Sequence, residues 1–187
     1  MKFLIVGLGN IGDEYANTRH NIGFIVADAF VQSMKGSFEP GRLASVSKVT
    51  LKGRIFVVIK PSTYMNLSGK AVKYWMDKEK IPLENLLVVT DDLDLEPGAL
   101  RLKPRGSGGS HNGMNHIIET FGFSEFPRLR IGIGSDFARG FQVDYVLGRW
   151  TKNEEKVMLN RIPLAVDTIK SFVLQGIDRT MNEYNNK

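Results

Sequence analysis

The spacing of apolar residues along the chain predicts alternating strands and helices. Two uninterrupted apolar runs, Lys2–Val6 and Leu86–Val89, are typical of strands that are covered on both faces of a sheet. Between them, apolar residues recur at helical spacing and predict helices over Asn21–Met34 and Ser68–Asp77. Strands that alternate with helices in this way indicate an α/β fold.

Further apolar stretches extend the predicted sheet. Val46–Leu51 and Ile55–Lys60 are separated by three residues that include a glycine, so we predict a β-hairpin there. Ala99–Lys103 and Leu129–Ile133 are additional strand candidates. Because the two strands of a hairpin are antiparallel, the sheet is expected to be mixed rather than wholly parallel.

The C-terminal region predicts one long helix. Thr151 and Glu154 have the spacing of a capping box, which marks a helix N-terminus. We expect Pro163 to kink this helix and Gly176 to end it. Its apolar stripe consists of Val157, Ile162, Val166, Ile169 and Val173. With no repeat or linker in the sequence, we predict a single three-layer α/β/α domain over residues 1–187, with a twisted mixed sheet and a long C-terminal helix.

Composition narrows the classes of protein that the sequence can specify. The 187 residues include no cysteine, which excludes disulfides, thiolate metal sites and a thiol nucleophile. The first apolar run stops at Gly7, so it fits a strand better than a signal peptide. No apolar stretch approaches the roughly 20 residues that span a bilayer. We therefore expect a cytoplasmic protein that does not enter the membrane.

Charge is segregated along the chain, although its formal sum is only +5. Acidic residues are missing from 40–76 and from 97–118, and they are concentrated in the intervening segment. Such segregation suits a polyanion such as nucleic acid, while solvated surfaces on a mildly basic protein are the simpler alternative. The basic residues of the first segment are Arg42, Lys48, Lys52, Arg54, Lys60, Lys70 and Lys73.

Gly7–Gly12 matches the glycine fingerprint of dinucleotide-binding folds, and it follows a predicted strand. That fingerprint requires a helix which opens directly on the glycine loop. Here the polar segment 13–21 follows instead, and Asp28, the candidate ribose ligand, lies within a predicted helix. An NAD-dependent oxidoreductase is therefore the least favoured of the functions considered.

Polar residues that follow the first and the later buried strand suggest a hydrolytic site. Asn10 and His20 come after the first strand, and Asp91 comes after Leu86–Val89. A carboxylate can orient an imidazole, and the imidazole can then activate water by general-base catalysis. Without a thiol, a nucleophilic-serine motif or a P-loop, activated water is the expected nucleophile. The aspartates of this loop could also form an Asx-turn cluster or a cation site.

Two further asparagines lie in segments of unusual composition. Asn66 precedes a predicted helix, and Asn112 follows a glycine-rich loop. An amide offers a donor and an acceptor without charge, which suits recognition of a peptide group or stabilisation of an oxyanion. From the residues alone, a helix N-cap is the more ordinary role for both.

Six motifs in fixed order resemble the bacterial peptidyl-tRNA hydrolase family over nearly the whole chain. They are G-L-G-N at 7–10, E-Y-x-x-T-R-H-N at 14–21, M-N-L-S-G at 65–69, D-D-L-D-L at 91–95, G-S-G-G-S-H-N-G at 106–113 and R-L-R-I-G-I-G at 128–134. Two positions depart from the family pattern: Ile11 stands where proline is usual, and Ser110 where glycine is usual. Neither is a proposed catalytic residue.

The resemblance implies a monomeric enzyme without cofactor or metal that hydrolyses the ester of peptidyl-tRNA. It implies that His20 is the general base, that Asp91 orients it, and that Asn10 positions substrate or water. The residues expected to bind the peptidyl part or the active-site network are Tyr15, Asn21, Tyr64, Asn66 and Asn112. Those expected to hold tRNA phosphate are Lys103, Arg105 and Arg130. The main alternative is a non-catalytic RNA-binding protein on the same fold.

The resemblance also selects among three neighbouring aspartates. It aligns the orienting carboxylate with Asp91, which is also the aspartate closest to the rigid strand. We accordingly expect Asp92 and Asp94 to be exposed or used in hydrogen bonds of the loop.

Overall fold

The structure, a computed structural model, describes all 187 residues and contains seven strands and six helices. The strands are β1 (Lys2–Gly7), β2 (Glu39–Gly41), β3 (Ala44–Leu51), β4 (Arg54–Pro61), β5 (Leu86–Asp92), β6 (Leu100–Lys103) and β7 (Arg128–Gly132). The helices are α1 (Ile22–Ser33), α2 (Ser68–Glu79), α3 (Asn112–Phe121), α4 (Gln142–Val146), α5 (Lys152–Gln175) and α6 (Ile177–Tyr184).

All seven strands form one sheet in the order β2-β3-β4-β1-β5-β7-β6. The four central strands β4, β1, β5 and β7 are mutually parallel, while β2, β3 and β6 run antiparallel to their neighbours. The predicted mixed sheet is therefore confirmed, and its centre is parallel. As a consequence, the carboxyl ends of β1, β4 and β5 meet at one edge of the sheet.

Successive side chains of the central strands enter two separate apolar layers. Phe3 and Ile5 of β1 join a cluster with α1 and α5, whereas Leu4 and Val6 join a cluster with α2 and α3. This alternation follows from the two-residue period of a strand, and it explains why β1 is apolar throughout. Helices cover both faces, which confirms the three-layer α/β/α architecture.

The sequence pattern did not predict four of these elements, and all but the ten-residue α3 have eight residues or fewer. They are β2, α3, α4 and α6. α6 follows the long helix and protects the edge strand β6, because Asn185 bonds the backbone N–H and C=O of Leu102 at 2.7 and 3.0 Å. The capping box of Thr151 and Glu154 is confirmed at the start of α5.

α5 continues through Pro163 and ends before Gly176, whose φ is 87°. That value lies in the left-handed region, which glycine adopts without the steric cost of a Cβ. The end of the helix is thus where the sequence predicted it. None of the helices is both long and apolar enough to cross a membrane.

The glycine fingerprint serves close packing between β1 and α1. A Cβ on Gly7 would lie 2.2 Å from the carbonyl oxygen of Gly23, a distance that only glycine permits. α1 begins at Ile22, ten residues beyond Gly12, and Asp28 lies within it as predicted. The helix that would receive a dinucleotide phosphate directly after the glycines is absent.

Candidate active site

The carboxyl ends of the central strands form the floor of a cleft of about 450 Å³. Asn10 follows β1, Asn66 follows β4, and Asp91 lies at the carboxyl end of β5, so parallel pairing brings them together. The predicted site residues that line the cleft are Asn10, His20, Tyr64, Asn66, Asp91, Lys103, Arg105, Asn112 and Arg130. Tyr15 and Asn21 do not line it.

Asp91 lies between two histidines. One of its carboxylate oxygens is 2.8 Å from Nδ1 of His20, and the other is 2.8 Å from Nε2 of His111. The two imidazole rings are tilted against each other with centroids 4.7 Å apart. Asp91 is 4% exposed, so its charge is compensated by these rings and not by solvent.

Backbone contacts define the proton positions on both rings. Nδ1 of His111 accepts the N–H groups of Gly113 and Met114 at 3.1 and 3.2 Å, which caps the N-terminus of α3. Nδ1 therefore carries no proton, and Nε2 of His111 donates to Asp91. The other carboxylate oxygen accepts the Nδ1 proton of His20, which leaves the Nε2 lone pair of His20 available at the cleft.

The two histidines also determine the charge of Asp91. Burial alone would raise the pKa of this carboxyl group, but electrostatic attraction to the His111 and His20 rings, and the hydrogen bonds from both rings, hold the pKa well below its usual range. The carboxylate is therefore ionised at every pH at which the protein is expected to work. An ionised Asp91 can stabilise a protonated His20.

Asp92, the next residue, has a different partner. It is 9% exposed, forms an ion pair with Arg130, and accepts the N–H of Asp94 at 2.8 Å. Asp94 is exposed. Of the three aspartates, only Asp91 therefore contacts a histidine. The expected loop hydrogen bond of Asp92 is present, but its burial against Arg130 was not expected.

Asn10 is held in one orientation by three hydrogen bonds. Its Oδ1 accepts the N–H of Met65 at 2.8 Å, while its own N–H and C=O bond the side chain of Asn21 at 2.8 and 2.9 Å. Because Oδ1 is occupied, the Nδ2 protons of Asn10 are the free polar group of this side chain. Asn10 is thus placed to donate a hydrogen bond into the cleft.

The positions of Asn21 and Tyr15 do not fit the expected contact with substrate. Asn21 is 1% exposed, and both ends of its amide are bonded to the backbone of Asn10. Tyr15 belongs to a short 3-10 turn at 13–15, away from the cleft lining. The geometry makes Asn21 a support for Asn10 instead of a direct substrate ligand.

Asn66 and Asn112 are exposed and line the cleft, and neither side chain is bonded to the protein. The N-cap of α3 is His111, and the residue before α2 is Leu67, so neither asparagine is a helix N-cap. Both amides remain available for a ligand. Tyr64, next to this pair, is 62% exposed.

The two acid-free segments of the chain differ in the charge that they leave free. In the first, Lys48, Lys60 and Lys73 form ion pairs with Glu79, Asp28 and Asp77. In the second, Lys103 and Arg105 are exposed, line the cleft and have no acidic partner within ion-pair distance. The unpaired cations of the first segment, Arg42, Lys52, Arg54 and Lys70, do not line the cleft, so of the two segments only the second brings free positive charge to its mouth.

Arg128 is a buried cation beside the segment that carries Lys103 and Arg105. It is 1% exposed, and its guanidinium donates to the carbonyl oxygens of Phe126, Gly106, Ser107 and Ser124. Burial, and secondarily the charge of Arg130, lower the pKa of Arg128 to about 10, so it stays charged near neutral pH. These bonds hold the glycine-rich loop that leads to His111.

Sequence reasoning missed two residues of the site. The sequence predicted no role for His111, although this residue stands in the G-S-G-G-S-H-N-G motif at 106–113 that carries the resemblance. Arg128 appeared only as the first residue of the R-L-R-I-G-I-G motif, with no role of its own. The contact between His111 and Asp91 depends on the fold of the intervening loop, which the pattern of apolar residues does not describe.

The same cluster is the one group in the structure whose donor atoms could hold a metal ion. One ligand atom from each of His20, Asp91 and His111 lies within 4.8 Å of the other two. Metal binding would require removal of both protons that now bridge the rings to Asp91. The hydrogen bonds account for the arrangement without an ion.

Together, the parallel strand ends, the His–Asp–His cluster and the free amides define a class of α/β protein equipped to activate water by general-base catalysis. The sequence model of one family, described as peptidyl-tRNA hydrolase, matches residues 4–187. The chain belongs to the peptidyl-tRNA hydrolase family.

Named relatives agree with this assignment over their full length. A peptidyl-tRNA hydrolase of Phocaeicola vulgatus is 57% identical over 187 residues and covers 100% of both chains. One of Cytophaga hutchinsonii is 52% identical with the same coverage. The crystal structure of peptidyl-tRNA hydrolase from Acinetobacter baumannii has a TM-score of 0.93 and 34% identity, covering 98% of this chain and 94% of that chain.

Proposed function

We propose that the protein hydrolyses the ester bond that joins a peptide, or an N-blocked amino acid, to the terminal ribose of tRNA. One observation carries this proposal beyond family membership: Asp91 fixes His20 with its Nε2 lone pair directed to the cleft. A protein that only bound RNA would have no use for such a buried His–Asp–His arrangement.

In the proposed reaction, Nε2 of His20 takes a proton from a water molecule that attacks the ester carbonyl carbon. Asp91 stabilises the imidazolium that forms, and the Nδ2 protons of Asn10 stabilise negative charge on the carbonyl oxygen. The imidazolium then returns its proton to the departing ribose oxygen. The products are a free carboxylic acid and tRNA with a restored ribose hydroxyl group.

Asn66 and Asn112 are proposed to recognise the peptide bond that distinguishes peptidyl-tRNA from aminoacyl-tRNA. Both amides are exposed at the cleft and unbonded. A blocked amino group offers an acyl carbonyl to these donors, whereas a free α-ammonium offers no acceptor. A site built around a hydrogen bond discriminates strongly against a ligand that cannot form it.

Lys103, Arg105 and Arg130 are proposed to bind phosphates of the tRNA. Lys103 and Arg105 are exposed without an acidic partner, and Arg130 stays half-buried against Asp92. Phosphate contacts of this kind give affinity without base specificity. We further propose that the protein acts as a cytoplasmic monomer, as one domain over 1–187, without cofactor or metal.

The decisive experiment measures release of the acyl group from N-acetylaminoacyl-tRNA by the purified protein, without added nucleotide. Hydrolysis by the wild-type protein and a loss of about 10² or more in His20→Ala would support the mechanism. Asp94→Asn is the matched control, since Asp94 is exposed and outside the cluster. Tight tRNA binding without turnover would instead favour the RNA-binding alternative.

A further inference from the structure

Arg19, the residue before the proposed base, is a cation that the hydrolytic mechanism does not use. It is 7% exposed, and its guanidinium forms a two-point ion pair with Glu154. Nε and Nη2 donate to the two carboxylate oxygens at 3.0 and 2.9 Å. The partners are 135 residues apart in sequence, so the pair joins the turn that carries His20 to the start of α5.

The same guanidinium also holds the segment that contains α4. Nη1 of Arg19 donates to the carbonyl oxygen of Tyr145 at 3.0 Å, and its carbon lies 4.1 Å above the centre of the Tyr145 ring. The backbone N–H of Arg19 donates to the carbonyl oxygen of Gly148 at 3.0 Å. A Cβ on Gly148 would come within 2.8 Å of Nη1, so the fit on this side is tight.

The side of α4 that faces away from Arg19 forms one wall of the cleft. Val143, Val146 and the adjoining Leu147 line the cleft beside Gln142, so this wall is mostly apolar, unlike the amide-rich floor. α4 has only five residues and none of them is buried. Helices this short are not stable by themselves, because the free-energy cost of nucleation exceeds the gain from a single helical turn. Its position must therefore come from contacts with other segments, through side chains and through the backbone bond of Arg19 to Gly148.

Two anchors are visible. Tyr145 donates its hydroxyl proton to the carbonyl oxygen of Ile133 at 2.6 Å, which ties α4 to the end of β7. Arg19 supplies the other, and it is itself fixed by Glu154. Buried ion pairs add little to net stability, since desolvation offsets the attraction, but they restrict geometry. A geometric role accounts for the cost of burying this charge.

We propose that Arg19 is a positioning residue which, through Glu154, sets the place of α4 across the cleft and thereby the affinity for apolar side chains of the bound peptide. The inference rests on the proposed hydrolase function. It assigns Arg19 an effect on KM, transmitted through α4. The chemistry at His20 is not expected to depend on the ion pair.

The test compares two substrates on one tRNA, N-acetyl-Phe-Phe-tRNA and N-acetyl-Gly-Phe-tRNA, with three variants. Glu154→Gln removes the charge of the pair while its amide oxygen can still accept the N–H of Thr151. Arg19→Met with Glu154→Gln removes both charges, so no unpaired charge stays buried if the single change unfolds the protein. Glu155→Gln is the matched control, as Glu155 is exposed in the same helical turn.

We expect the KM of the Phe-Phe substrate to rise about tenfold in Glu154→Gln and in the double variant, and less for the Gly-Phe substrate. The value of kcat and the pH–rate profile should stay close to wild type. Amide hydrogen exchange at 142–148 should become faster in both variants. Glu155→Gln should match the wild type in every measurement.

Two results would overturn the proposal. One is an unchanged KM in a variant with lowered thermal stability, which would make the pair purely structural. The other is a reduced kcat with a displaced pH–rate profile and an unchanged KM, which would mean that Arg19 acts on His20. If the wild-type protein hydrolysed neither substrate, the proposed function would fail, and hydrogen exchange at 142–148 would still decide whether Arg19 anchors α4.

Discussion

Replacement of Asp91 by asparagine should inactivate His20 by reversing the position of its ring proton. The Asp91 carboxylate accepts a hydrogen bond from each ring, whereas an asparagine side chain has one acceptor oxygen and one N–H₂ donor group. His111 must keep its proton on Nε2, since its Nδ1 accepts two backbone N–H groups. The amide oxygen is therefore expected to face His111, and the N–H₂ group to face His20. Nδ1 of His20 then becomes an acceptor, and Nε2 carries the proton in place of the lone pair.

The hydrogen bonds give the size of this effect. The productive arrangement in the variant would require His111 to give up both backbone bonds, each worth about 0.5–1.5 kcal/mol. A difference of about 1–3 kcal/mol corresponds to a preference of about 5- to 150-fold for the wrong tautomer. Loss of the charge that stabilises the imidazolium removes a bond worth about 1.5–3 kcal/mol, or a further 10- to 150-fold. We expect a total loss in kcat of about 10²–10⁴, in the range of carboxylate-to-amide changes in serine protease triads.

A second substitution separates the tautomer from the charge. His111→Asn keeps a side chain that caps helices well, but this shorter side chain cannot reach Asp91. In Asp91→Asn combined with His111→Asn, the amide at 91 can turn its oxygen to His20 and restore the productive tautomer. Single-turnover hydrolysis of N-acetylaminoacyl-tRNA should then be about 5- to 150-fold faster than in Asp91→Asn alone.

One control variant and two double variants test the tautomer argument and the coupling of His20 to Asp91. Asp94→Asn should keep the wild-type rate, and His20→Ala added to Asp91→Asn should cost little more than His20→Ala alone, because the two residues act as a unit. If the double variant at 91 and 111 were no faster than Asp91→Asn, the tautomer argument would be refuted. Simply additive losses at 20 and 91 would refute the coupling.

Three further predictions concern binding, selectivity and stability. Lys103→Ala should weaken binding to all tRNAs alike. The slope of the logarithm of the binding constant against the logarithm of the salt concentration should become shallower by about 0.7–0.9, the value for one phosphate contact. An effect on a single tRNA species would contradict this prediction. Free aminoacyl-tRNA should be cleaved with a kcat/KM far below that of the N-acetylated form, and Asn66→Ala should narrow this difference. Equal kcat/KM values for the two substrates in the wild-type protein would refute recognition of the acyl group by Asn66. Burial opposes ionisation of Asp91, Glu79 and Glu154, but hydrogen bonds and electrostatic attraction from their histidine, lysine or arginine partners lower each pKa below its ordinary value. Their contribution to the free energy of unfolding should therefore be complete above about pH 5 and decline as pH falls below about 4, as denaturant titrations would show; stability that increased on acidification would contradict these assignments.

Local pattern was sufficient for most of the fold because the central strands are buried on both faces. The apolar run of β1 and the capping box at Thr151 and Glu154 are signals within a few residues, and both are confirmed. The same local rules failed for α4, whose five residues have no buried side. A helix without an apolar stripe leaves no periodic signal in the sequence.

The sequence by itself determined which chemistry the protein carries: Asn10, His20 and Asp91 follow strands whose parallel pairing places them at one edge, and the motifs around them identify the family. Only the tertiary structure decided how these groups are used. The contacts of Asp91 with His20 and His111 span 71 and 20 residues, and that of Arg19 with Glu154 spans 135. Such contacts depend on where folded loops meet, so no local propensity records them. They fix the proton positions at Asp91 and the anchoring of α4, as the contact of Asn10 with Met65, 55 residues apart, fixes the Asn10 amide.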